Sequence, residues 1–195
     1  MAAHDVLHVL RSGTADEHED VERALNLLDP ALGRGRLTDV LTRMHGFWLA
    51  AEAGLDAWAA RHPSDAHAVQ WPARRRAHLF ADDLRALGAD HPATAPALPL
   101  LTGTDQALGR LYVLEGSTLG GTFIDRHLAG LPELSGVRIR AFSPYGGRTG
   151  AMWHGFRRVV RGRVREGGDP AAMLGSARDT FRALADWCRP LAGTA

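Results

Sequence analysis

The chain of 195 residues has no lysine, one cysteine, no basic excess and no run of about twenty apolar residues. Each absence removes a class of function. With 23 Lys+Arg against 22 Asp+Glu, a formal charge of +1 leaves nothing to neutralise a phosphate backbone, so general nucleic-acid binding is not expected. Cys188 stands alone and cannot close an intrachain disulfide, and no charged-then-apolar leader is seen. A reducing, cytoplasmic setting without a membrane span is the expectation. There is no G-x-G-x-x-G after a strand, no G-x-x-x-x-G-K-[ST], no H-E-x-x-H, no G-x-S-x-G and no cysteine pair for zinc, so nucleotide and zinc-hydrolase chemistry lose support. A ferritin-like di-iron bundle needs two Glu-x-x-His units, and none occurs. That all basic residues are arginine reflects the coding genome more than selected chemistry.

What is present is helical. With 45% apolar residues in 195, the composition suits one compact soluble domain over residues 1–195. Apolar residues three and four apart, broken by proline and glycine, predict six helices: Asp5 to Leu28, Leu37 to Ala60, Arg74 to Leu87, Thr104 to Gly130, Ala151 to Arg165 and Pro170 to Arg189. Thr14 to Glu17 has the form of a capping box, so the first helix has a second possible start there. Pro92, Pro96 and Pro99 mark a surface connection. The alternation over Val137 to Ala141 is the only hint of a strand.

Three local features bear on chemistry. Gly116, Gly120 and Gly121 lie inside a helical pattern at a cost of about 1 kcal/mol each, so something should compensate. Glycines four apart bare one helix face, which admits either a packed neighbouring helix or a flat ligand. His18 and Glu22 share a face one turn apart, an arrangement that suits a metal-bound imidazole and its carboxylate partner, and equally an ordinary surface pair. Arg157 and Arg161 are likewise one turn apart, able to clamp a ligand with two acid groups or to form a solvated face, and Arg11 precedes His18 by seven residues. The run Arg74 to Arg76 reads as a solvated helix start.

Taken together, residues 10–19 (LRSGTADEHE), 111–121 (LYVLEGSTLGG) and 153–156 (WHGF) resemble the bacterial branch of the biliverdin-producing heme oxygenases, including those that serve bacterial phytochromes. The resemblance extends from about Leu10 to Leu184. It implies an all-α, single-domain fold with heme between a proximal helix and a kinked distal helix. On the matching positions it implies His18 as the iron ligand, with Glu22 as its partner. Gly116, Gly120 and Gly121 become the backbone passing over the iron, and Arg11, Arg157 and Arg161 the residues facing the heme propionates. Heme b would be both cofactor and substrate, cleaved with O2 to biliverdin, carbon monoxide and ferrous iron. Electrons would come from an external donor such as ferredoxin or a reductase. Backbone N–H groups and ordered water near Gly116 and Gly120 are the expected proton sources. Ser117 stands where mammalian members carry aspartate. The competing reading is a heme carrier or sensor that does not degrade its ligand.

Overall fold

The computed structural model describes residues 5–89 and 94–193. Residues 90–93, with Pro92 of the expected surface connection, lie outside them. The chain begins with α1 (Val6–Gly13) and α2 (Ala15–Leu25), which replace the single long helix expected there. The break falls at Thr14, whose buried hydroxyl donates back to the Leu10 carbonyl at 2.8 Å instead of capping α2, so the capping box does not form. Helix α2 stops at Leu25 because Asn26 turns left-handed, with φ of 45°.

Next come α3 (Arg34–Arg61), a short α4 (Pro63–Ala68) absent from the sequence expectation, and a 3-10 turn, Trp71–Arg74, that leads into α5 (Ala77–Ala86). Helices α6 (Thr104–Gly130), α7 (Thr149–Arg165) and α8 (Pro170–Cys188) fall close to their expected spans. Asp169 starts α8 by accepting from the Ala171 N–H at 2.8 Å, with Pro170 in the first turn where its missing N–H costs nothing.

Two expectations fail for physical reasons. Among the described residues there is no strand. Ile139 and Ala141 do face inward while Arg138 and Arg140 face out, but the N–H groups of Arg140 and Ala141 are taken by the Asp83 carboxylate at 3.1 and 2.8 Å, not by a second strand. The Arg74 to Arg76 run is not a solvated helix start. Arg74 and Arg76 are buried, leaving only Arg75 exposed.

The apolar core runs from Val6 to Leu191 and includes Trp48, Trp58, Trp71, Phe47 and Phe156. Helix α8 is its spine, because it packs along both α6 and α2, whereas α2 and α6 do not pack along each other.

Candidate functional site

Two side-chain ties join α6 to the residues on either side of α2. At one end the side chain of Tyr112 on α6 meets that of Thr14 at the start of α2. At the other, His127 near the end of α6 donates from Nε2 to the Asp29 carbonyl at 2.9 Å, just beyond α2. A carbonyl can only accept, so Nε2 carries the proton. The two helices therefore run in the same direction in a common register. Four residues past the first tie bring His18 level with Gly116, and eight bring Glu22 level with Gly120, about 6 and 12 Å along the axes.

On the α2 side, His18 sits at the edge of the buried face and keeps 56% of its side chain exposed. Its ring stands edge-on to Phe181 of α8, with centroids 5.6 Å apart, so the spine helix supports it from below. Glu22 Oε2 lies 3.6 Å from His18 Nδ1, long for a hydrogen bond. The imidazole's other nitrogen has no hydrogen-bond partner among the described residues.

On the α6 side, a Cβ added at Gly116 or Gly120 would meet nothing within 4 Å, so the bare backbone at both positions faces open space. Leu119 and Phe123 flank them, 44% and 67% exposed, and Leu28 beside the Asp29 tie is 57% exposed. Large apolar side chains left this exposed are a feature that a binding surface would explain. Gly121 is turned the other way. Its Cβ would come within 2.0 Å of the Phe142 carbonyl oxygen, so this glycine admits the 140s loop and not a ligand. The backbone N–H groups of Gly116 and Gly120 lie within the continuous helix α6.

Behind the bare face is a buried polar cluster that the sequence reading missed. Arg74 pairs with Glu115 Oε2, Tyr145 donates to Glu115 Oε1 at 2.7 Å, and Arg74 also donates to the Met152 carbonyl at 3.2 Å. Burial, and then the Glu115 charge, hold the Tyr145 hydroxyl well above the ordinary phenol range. Glu52 on α3 accepts from the N–H groups of Arg76 and Ala77 at 2.6 and 2.8 Å, which starts α5, and burial raises its pKa. Arg76 lies over the Trp48 ring at 4.8 Å and donates to the Ala141 carbonyl at 3.2 Å, the Leu114 carbonyl and Ser117 Oγ at 2.8 Å. The signal was present in Glu115, which shares the apolar phase of α6 with Leu108 and Leu111, since a carboxylate there demands a buried cation.

The arginines expected around a ligand's acid groups are placed unevenly. Arg161 is engaged through two hydrogen bonds, 3.0 and 2.6 Å, by Asp5, whose carboxyl it holds below the usual range. Arg157, one turn away, is half-buried, with its Nε enclosed and unpartnered. Arg11 is exposed in the last turn of α1 and contributes its charge near Tyr112.

Among the described residues no three His, Cys, Asp or Glu side chains gather to hold a bare metal ion. A lone imidazole opposite a bare helix face suits a metal that brings its own planar donors. Across solved structures, the chain matches the NO- and CO-bound heme oxygenase from Neisseria meningitidis with a TM-score of 0.77 and 22% identity, over 99% of this chain and 94% of that one. This is the heme oxygenase fold. In sequence the chain is similar to a heme oxygenase of Xanthomonas campestris pv. campestris (strain 8004), 29% identical over 156 residues, which cover 77% of this chain and 90% of that protein. No family model matches the chain. No helix among the described residues is long and apolar enough to cross a membrane.

Proposed function

We propose that the chain is a heme oxygenase, with heme b as its substrate, cleaved with O2 and electrons to biliverdin, carbon monoxide and ferrous iron. One observation supports the reading most: Gly116 and Gly120 present open backbone on α6, the helix tied at Tyr112 and His127 to Thr14 and Asp29, on either side of the His18-bearing α2. A porphyrin is flat and apolar and supplies four of the iron's donors, so it needs from the chain one nitrogen and two smooth walls.

In this reading His18 would hold the iron and Glu22 would hold the imidazole's orientation. Gly116 and Gly120 would let the flat ligand approach the α6 backbone, where a side chain would take up the room. Arg157, which forms no ion pair among the described residues, is better placed than Arg161 to take a propionate, because Arg161 must first release Asp5. Arg11 adds positive charge at the α1–α2 junction. Gly121 contributes by seating the 140s loop. The reducing electrons come from a separate cytoplasmic donor such as a ferredoxin or a reductase, since the sequence has no flavin or nicotinamide signature. Supply of biliverdin to a phytochrome fits the branch of the family that the glycine stretch resembles.

The test is hemin titration followed by reductant and oxygen, read by absorbance. One equivalent of heme should bind, and its Soret band should give way to a bile-pigment band on turnover. Uptake without pigment favours the carrier or sensor reading, and no uptake removes both. His18→Ala should lose the axial-ligand spectrum; a wild-type spectrum in that variant would move the ligand to another histidine, such as His45 or His78.

A further inference from the structure

Ser117 is the position on the glycine stretch that lacks a charge, and the way it is held gives it a defined polarity. Its Oγ lies 2.7 Å from the Leu114 carbonyl and 2.8 Å from Arg76 Nη2. A carbonyl cannot donate and a guanidinium cannot accept, so the hydroxyl proton goes to Leu114 and one lone pair is taken by Arg76. What remains on the exposed side is a single lone pair. Nη2 is also fully used, with one proton on Ser117 and the other on the Leu114 carbonyl. The guanidinium cannot rotate away. It is 2% exposed, lies over Trp48 and is tied through Nη1 to Ala141. Ser117 is about 100° round the helix from Gly116 and 60° from Gly120, at the margin of the bare face.

We propose that Arg76 is a positioning residue of this face: it fixes Ser117 as a hydrogen-bond acceptor, so that a water bound there spends one O–H on Ser117 and turns the other towards the cleft. The proton source beside Gly116 and Gly120 is then this oriented water and not the serine, whose own proton is spent within α6. The inference rests on the heme oxygenase reading only for what occupies the cleft. The charged and titratable groups around Arg76 are Glu52 from α3, Glu115 from α6, Tyr145 from the 140s loop and its neighbour Arg74. Arg74 is ion-paired with Glu115, and Glu52 meets Arg76 through the backbone N–H, so replacing Arg76 by lysine keeps the charge of the group while removing the planar fork.

Two measurements test it. In the ligand-free protein labelled with 15N-arginine, the buried Arg76 Nη2 protons should exchange slowly and appear as two signals, and Ser117→Ala should displace one of them. Rapidly averaged signals, or signals that Ser117→Ala does not move, overturn the proposal without any need for heme or for a folded Arg76 variant. In the ferric heme complex, the pH midpoint of the absorbance change should shift by about half a unit in Ser117→Ala and again in Arg76→Lys, the scale of one neutral hydrogen bond. The double variant should shift no further than either single one, because both remove the same oriented water. Additive shifts, or none, overturn the positioning role while leaving heme oxygenase activity in place. A wild-type protein that takes up no heme overturns the functional reading instead.

Discussion

Replacing three glycines of α6 one at a time by alanine separates space kept for a ligand from space kept for packing. At Gly116 and Gly120 an added Cβ has nothing within 4 Å, so in the ligand-free protein the methyl costs no contact and gains the alanine helix preference, about 1 kcal/mol. For a chain of 195 residues that corresponds to a rise in Tm of about 2–4 °C for each variant. At Gly121 the same methyl would stand 2.0 Å from the Phe142 oxygen and 2.7 Å from its carbonyl carbon. Backbone cannot step aside as a side chain can, so the overpacking outweighs the propensity gain by on the order of 2 kcal/mol. Urea or thermal unfolding without heme should therefore rank Gly116→Ala and Gly120→Ala above wild type and Gly121→Ala below it. Hemin titration should sort them differently: Gly116→Ala and Gly120→Ala, though more stable, should bind at least about tenfold more weakly because the methyl occupies the cleft. Should either variant prove both destabilised and unimpaired in binding, the glycines serve packing alone and the cleft is not a ligand site.

Other consequences are sharp enough to measure. Glu115→Gln leaves the Arg74 guanidinium buried without its counter-charge and should cost about 3 kcal/mol in urea unfolding; a loss under about 1 kcal/mol would mean that water reaches the pair. Burial raises the Asp105 pKa, but the Arg163 hydrogen bonds at 2.8 and 3.3 Å and the Asp169 N–H outweigh it, and the net shift is downward. A carboxyl depressed in the folded state stabilises above its unfolded pKa of about 3.9 and loses that contribution as pH falls through the folded value. Asp105→Asn should accordingly be less stable than wild type at pH 7, with the gap closing below about pH 4. A gap independent of pH would place the effect in packing.

Much of the architecture was legible in the sequence because it is local. The apolar spacing of α6 from Thr104 to Gly130, and the proline and glycine stops around α8, carry their own boundaries. The break at Thr14 was not, since a threonine returning its proton to the preceding turn looks like a cap until its rotamer is known. Val137 to Ala141 shows the inward-outward alternation of a strand but has a side-chain acceptor, Asp83, in place of a neighbour. Arg74 and Arg76 were misread for a related reason: their partners, Glu115 and Ser117, are each 41 residues away in sequence. His18, Glu22, Gly116 and Gly120 could be singled out from spacing, and their proposed roles came only from the resemblance. What could not be named was which way each faces, and that is what separates Gly120 from Gly121 and Arg157 from the engaged Arg161.

The two ties that hold α2 and α6 in register share a property. The imidazole of His127 presents its Nε2 proton to Asp29 whether the ring is neutral or charged, and burial keeps the Tyr112 phenol protonated beyond its ordinary range. Neither fastening is undone by acid or mild base. The tether between the two helices is therefore made of bonds that need no charge on either partner.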